Sequence, residues 1–370
     1  MLVTKQTFSR PEFRFEPANR TIPLRLGYET YGTLSPARDN VILVCQYFTG
    51  TSHAAGRYTP TDPLPGWWDA LIGPGKAIDT DRWFVVCVDT ISNINFHSPT
   101  VVTTGPASIN PATGREYAMD FPIFTLKDVV RAQRLLLDDL GIRRLRCVLG
   151  PSMGGLQAYL WGRFFPDDVD KVVAVVSTPM MRPSCLMVPN QLGMDAIMLD
   201  PNWRGGDYYG HEPPTRGLLL AFKILLTETR TDHWAESNFG RRFLDPSFQA
   251  SPNPFLSFQG RFLVDAEIEK TVVQRMQFFD ANSYLYIAKA NTLFDLREPG
   301  EELPQALAHL KMPVLMIIDE SDLMFTREQA EEALPHLPQG RLETYDSRNG
   351  HLSCLYETDH FAGRLASFLA

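Results

Sequence analysis

No run in this 370-residue chain approaches the roughly 20 consecutive apolar residues that a bilayer-spanning helix needs, so an integral membrane protein is not expected. The opening stretch "MLVTKQTFSRPEF" scatters charges among its apolar residues and has no continuous apolar segment, which argues against a secretion signal or a targeting helix. Basic residues are outnumbered. The 35 Lys and Arg against 43 Asp and Glu leave a net charge of -8, which disfavours nucleic acid and anionic membrane as partners. Cysteine is scarce: the five, at positions 45, 87, 147, 185 and 354, show no CxxC spacing. Three of them stand in β-like apolar runs, where a thiol acts as a small buried hydrophobe. Disulfides and a zinc site are therefore not expected, and a reducing cytoplasm is. Repeats and low-complexity tracts are also missing. What is left is a globular chain, 44% hydrophobic and long enough for one large domain carrying an insertion.

The apolar runs that are present alternate with helical patterns. "VILVCQYF" (41–48) and "RWFVVCVDT" (82–90) are rich in Val, Ile, Cys and aromatic residues and predict buried strands. "TLKDVVRAQRLLLDDLGI" (125–142) predicts a helix, with Thr125 and Asp128 as a cap-like start and Gly141 as the stop. A strand at "LRCVLG" (145–150), a helix at "GGLQAYLWGRFF" and a strand at "KVVAVVST" (171–178) follow. "GPGKAI" (73–78) lacks the spacing of a phosphate loop and reads as a helix end. Strand and helix in alternation predict a mostly parallel sheet with right-handed crossovers. From about Met180 helical patterns such as "GLLLAFKILLTETR" (217–230) and "EIEKTVVQRMQFF" (267–279) dominate. The alternation resumes with "PVLMIID" (313–319), a helix near 327–334, "RLETYD" (341–346) and a terminal helix from about Thr358. The expected organisation is an α/β core of residues 1–179 and 301–370 with a helical cap of residues 180–300.

Gly150-Pro151-Ser152-Met153-Gly154 fits G-x-S-x-G between a predicted strand and a predicted helix. In that context the serine occupies a sharp turn with its hydroxyl exposed. The Met153 N–H then lies at a helix N-terminus, where a free donor and the helix dipole can hold a developing oxyanion. A serine hydroxyl needs a base to remove its proton, so a carboxylate and a histidine should follow in the order Ser, Asp or Glu, His. "MIIDESDLMF" offers Asp319, Glu320 and Asp322 after one strand, and "YDSRNGHLSC" offers His351 after the next. Asp322 is favoured because it lies past the strand end with "LMF" to pack it in place. The second oxyanion donor should come from "QYFTGTSH" (46–53), with the Phe48 N–H as the candidate. Neither a metal nor an organic cofactor is required by this chemistry.

Beyond these motifs, "GWWDALIGPGKAIDTDRWFVVCVD", "TGPASINPATGREYAMDFPIFTLKDVVRAQRLLLDDLGI", "GPSMGGLQA", "DPNWRGGDYY" and "FDANSYLYIAKA" follow one pattern along nearly the whole chain. The chain resembles the homoserine O-acetyltransferase family, whose members have the α/β-hydrolase fold with a helical cap and commonly dimerise through that cap. The resemblance implies a triad of Ser152, Asp322 and His351 with the backbone N–H groups of Phe48 and Met153 as oxyanion hole.

Two departures bear on the substrate. Where the family has an arginine that holds the homoserine carboxylate, this chain has Phe222, and Thr229 stands at the place of a family tyrosine. A register shift of one helical turn would instead bring Lys223 or Arg230 there. Where the family has an aspartate for the substrate amine, directly after the catalytic histidine, this chain has Leu352. A charge-assisted hydrogen bond is worth roughly 1.5 to 3 kcal/mol, and burying an ion beside Phe and Leu adds a cost of the same order. The expectation is therefore a serine ester hydrolase of the family's esterase-like branch, acting on small, neutral, short-acyl esters such as ethyl acetate. The alternative is a homoserine O-acetyltransferase or a related acyl-CoA-dependent O-acyltransferase. A non-catalytic binding protein on the same fold is disfavoured by the complete set of triad residue types.

Overall fold

A computed structural model describes residues 1–250, 258 and 260–370, so residues 251–257 and 259 of the expected 180–300 cap lie outside the described residues. Eight strands form one sheet: β1 (Gln6–Phe15), β2 (Arg20–Tyr31), β3 (Val41–Val44), β4 (Phe84–Val88), β5 (Cys147–Pro151), β6 (Val172–Val175), β7 (Val314–Asp319) and β8 (Gly340–Tyr345). Their order is β1-β2-β4-β3-β5-β6-β7-β8. From β4 to β8 all neighbours are parallel, while β1–β2 and β2–β4 are antiparallel.

Every residue of β3, β5, β6 and β7 is buried, as continuous Val, Leu and Ile runs require when both sheet faces are covered. Alternate side chains go to opposite faces. Leu43, Val148, Val172 and Val314 pack under the helices α1 (Leu126–Asp139) and α2 (Met153–Phe164), whereas Ile42, Leu149, Val173 and Leu315 pack with Trp68, Phe361 and Leu365.

Three local expectations are corrected. The strand predicted over 41–48 stops at Val44, because residues 45–48 leave the ladder to form a loop in which Cys45, Gln46 and Phe48 are buried. "GPGKAI" is a turn between two short paired segments, Ile72–Gly73 and Ile78–Asp79, not a helix end. The two long N-terminal strands were not anticipated; β2 buries every second residue at Ile22, Leu24, Leu26 and Tyr28, whereas in β1 a register shift between Arg10 and Phe13 changes the phase of burial from Phe8 to Phe13 and Phe15. Pro11, which has no N–H to give to a ladder, lies within that irregularity.

After β3 the chain crosses to β4 on one side, and after α1 it returns to β5 on the other side of β3. The loops leaving β3 and β5 therefore diverge and open a crevice at the carboxyl ends of the strands, the place where open α/β sheets bind ligands. Between β6 and β7 lies a helical segment that includes α3 (Val188–Met198), α4 (Thr215–Glu228), α5 (Leu263–Val273) and α6 (Ala281–Thr292). α3 packs on both α4 and α6, and α4 packs on α5. No helix of the described residues is long and apolar enough to cross a membrane.

Candidate active site

Ser152 follows the last residue of β5 and precedes the first residue of α2, with φ 55° and ψ −123°. For a residue with a side chain this is a strained conformation, and strain of that kind persists only where the surroundings over-determine it. Here they do. The Ser152 N–H donates to the Val175 carbonyl (2.9 Å), and the Ser152 carbonyl accepts from the N–H groups of Gly155 (2.8 Å) and Leu156 (3.2 Å). A Cβ on Gly150 or Gly154 would collide with the Cys45 carbonyl oxygen, so the two glycines of the motif let the turn sit directly on the loop after β3.

At the ends of β7 and β8 a carboxylate meets an imidazole. Asp322 Oδ2 lies 2.7 Å from His351 Nδ1, and the residues are 3% and 5% exposed. The other oxygen, Asp322 Oδ1, accepts from the N–H groups of Met324 (2.8 Å) and Phe325 (3.2 Å), and the His351 ring stacks on Phe325. The neighbouring acids are placed differently. Asp319 accepts from Ser321 and from the Ser347 hydroxyl, and the Gly350 N–H donates to the Ser321 hydroxyl (3.1 Å), so this carboxylate ties the two loops together. Glu320 pairs with Arg327 at the surface.

The loop after β3 is held by its carbonyls. The Gln46 carbonyl accepts from Gln157 Nε2 (3.1 Å), itself joined through Gln133 to Trp161. The Thr49 carbonyl accepts from Asn95 Nδ2 (3.1 Å) and Arg275 Nη2 (3.3 Å), and the Gly50 carbonyl from Asn93 Nδ2 (3.0 Å). With those carbonyls turned into the protein, the N–H groups of Phe48 and Met153 make no hydrogen bond to any described residue. The Phe48 ring stands edge-on to Tyr284 of α6 (5.4 Å), which fixes this loop against the helical segment. Below the loop, Glu29 Oε2 lies 2.9 Å from His53 Nδ1, which accounts for His53 as a structural residue.

Ser152, His351 and Phe48 line one cavity of about 170 Å³. That is well under the ~300 Å³ at which pockets begin to enclose drug-sized ligands, and it suits a small molecule. The Ser152 hydroxyl and the His351 ring face it without a hydrogen bond between them, a gap common before substrate draws catalytic groups together. Phe222, Thr229 and Leu352 line it too. Phe222 stacks on Phe279 (4.5 Å) and meets Tyr284 edge-on, while the Thr229 hydroxyl donates to the Leu226 carbonyl of its own helix (3.0 Å). Lys223 and Arg230 are not among the lining residues: Lys223 pairs with Asp265, and Arg230 lies over the Trp234 ring. Cys354 also borders the cavity, but burial pushes its thiol well above the ordinary value and keeps it protonated.

The α/β-hydrolase fold family model matches residues 64–358. The homoserine O-acetyltransferase of Deferribacter desulfuricans is 38% identical over 100% of this chain and 96% of its own length. The chain belongs to the homoserine O-acetyltransferase family. A crystal structure of homoserine O-acetyltransferase from Bacillus anthracis is 40% identical and superposes with a TM-score of 0.94, covering 100% of this chain and 98% of that one. The structure of esterase E22 is 34% identical with a TM-score of 0.92, each chain covered in full. This family member is an enzyme of the α/β-hydrolase class.

The expected ester hydrolase is thereby corrected. Curated relatives from several organisms, 38% to 40% identical over nearly the whole chain, are homoserine O-acetyltransferases, which favours the alternative reading. The physical reason is that Phe222 and Leu352 are only part of the cavity wall. Residues far away in the chain also reach the cavity. Arg275, Asn190 and Asn291 line it, and no local motif marks any of them. The one signal for Arg275 is a lone cation in "VVQRMQFF", four residues before Phe279, whose ring stacks on Phe222.

Proposed function

We propose that this protein is an O-acyltransferase that moves an acetyl group from acetyl-CoA to the hydroxyl of L-homoserine through an acyl-enzyme on Ser152. In the first half-reaction Ser152 Oγ attacks the thioester carbonyl while His351 takes its proton. The carbonyl oxygen becomes an oxyanion facing the Phe48 and Met153 N–H groups, the C–S bond breaks, and the proton passes from His351 to the CoA thiolate. In the second, His351 takes the proton of the acceptor hydroxyl, the alkoxide attacks the acyl-serine, and the proton returns to Ser152 Oγ. Asp322 holds the ring in the tautomer that presents Nε2 to the serine, by accepting from Nδ1 at 2.7 Å. The helical segment between β6 and β7 acts as the cap that keeps water from the acyl-enzyme, which separates transfer from hydrolysis.

The observation that carries this reading is the 38% to 40% identity with homoserine O-acetyltransferases over nearly the whole chain. The small cavity that Ser152 lines together with residues of the helical segment supports it. The deciding experiment supplies acetyl-CoA with and without L-homoserine and follows CoA, acetate and O-acetylhomoserine. One O-acetylhomoserine per CoA is expected. Equal CoA release without acceptor, with acetate as the product, overturns the reading.

A further inference from the structure

The roof of the cavity contains two amides that each hold one buried atom without a partner. Asn190 Nδ2 and Asn291 Oδ1 are buried without a hydrogen-bond partner, and the residues are only 1% and 3% exposed. Of the unmatched side-chain atoms among the described residues, these two alone belong to residues that line the cavity with Ser152. A buried amide without a partner carries a desolvation penalty, so folded proteins keep few of them and each calls for a reason.

The two amides come from different helices. Asn190 lies in the first turn of α3 and Asn291 in the last turn of α6. A Cβ on Gly193 would come 2.6 Å from the Tyr284 hydroxyl, so that glycine lets α3 settle closely on α6 and fixes where the amides stand. Around them the walls are Phe222, Leu225, Val272 and Phe279, with Leu352 beside His351. The guanidinium of Arg275 is turned to Thr49 and Asn95.

We infer that Asn190 and Asn291 hydrogen-bond the amino and carboxylate end of the acyl acceptor, doing with neutral amides what Phe222 and Leu352 leave without charged partners. This rests on the acyl-transfer reading. Each amide has both donors and acceptors, so the pair can serve an ammonium and a carboxylate together. A site built from buried polar groups also rejects an alcohol that lacks that end, because the amides then stay unpaired.

The test compares L-homoserine with n-butanol, an alcohol of the same carbon count without the polar end, in wild type, Asn291→Leu and Asn190→Leu. CoA release before any acceptor is added reports the first half-reaction separately. In each leucine variant the ratio of kcat/KM for homoserine over butanol falls about tenfold or more, the worth of one hydrogen bond to a charged group. The melting temperature of Asn291→Leu stays level or rises, because an unmatched amide is removed; a merely structural amide would lower it. Should a leucine variant fail to fold, Asn291→Ala removes the amide without adding bulk and lowers the same ratio. An unchanged ratio in variants that still transfer overturns the inference alone. A wild type that releases CoA but acylates neither alcohol overturns the acyl-transfer reading and the inference with it.

Discussion

The floor and the roof of the cavity are built on different terms. On the floor, at the carboxyl ends of the strands, hydrogen bonds hold the loops that carry the reacting groups: Asp322 spends both oxygens, Asp319 ties the two loops, and the carbonyls of Gln46, Thr49 and Gly50 are each taken by an amide or guanidinium. The roof is held by packing, with Phe222 on Phe279 and Tyr284, and leaves the amides of Asn190 and Asn291 unmatched. A satisfied network defines one geometry, whereas an apolar wall with spare amides is completed by what binds. The type of reaction belongs to the floor and the choice of acceptor to the roof.

The widest gap between the two should appear on the floor. Ser152→Ala removes the attacking atom and is expected to lower kcat about a million-fold, read as CoA release, while leaving the melting temperature within a few degrees. Asp322→Asn should cost about 10⁴-fold. An amide nitrogen offered to His351 Nδ1 turns the ring to the tautomer whose proton faces the serine, while the Met324 and Phe325 N–H groups still hold the remaining oxygen in place. A loss under tenfold would mean that His351 does not depend on this carboxylate, and the floor would then lose its claim to a single fixed geometry.

Arg275 joins the halves, since it follows α5 in the helical segment yet donates to Thr49, one residue after the candidate oxyanion donor Phe48. Arg275→Met should lower kcat by about tenfold to a hundredfold, less than deleting an oxyanion donor outright, with acceptor KM little changed. Partial rescue by Arg275→Lys is expected, because an ammonium can still reach one carbonyl. A rise in acceptor KM at constant kcat would move Arg275 from floor to roof and make it a substrate contact.

How much of this could be read in advance divides along the same line. The strand and helix alternation, the turn at Ser152 and the order of Asp322 and His351 are local patterns with a period or a spacing, so the sheet core and the candidate floor were legible. Cys45 to Phe48 misled because apolar composition is shared by a buried strand and a buried loop. β1 escapes notice because the irregularity beside Pro11 interrupts its alternation, and β2 because Pro23 stands inside its run. The roof had no local code. Asn190, Asn291 and Arg275 come together only through the packing of α3, α5 and α6, so Phe222 and Leu352, read alone, suggested a neutral ester.

The smallest expected effect concerns what supports each half. Under the oxyanion loop, Glu29 is wholly buried beside Lys5 (3.0 Å), His53 and the Tyr58 hydroxyl (2.6 Å). Burial works to raise its pKa, yet the His53 hydrogen bond and the Lys5 charge prevail and hold it below the usual carboxylate value. A carboxylate with a folded pKa below its unfolded value of about 4.3 contributes stability above that pH and loses it as pH falls through the folded value. The melting temperature of Glu29→Gln should therefore trail wild type at neutral pH, and the gap should close in acid as Glu29 of the wild type is protonated too. Asp89, pushed upward by burial despite Lys5, has the opposite sign: its contribution is lost as pH rises through its folded value, so it cannot be what closes that gap. Phe222→Leu in the roof removes an aromatic stack worth about 0.5 to 1.5 kcal/mol, and its deficit should not vary with pH. If the Glu29→Gln deficit were equally indifferent to pH, the floor would be held by packing after all, and the contrast with the roof would rest on its hydrogen bonds without its charge.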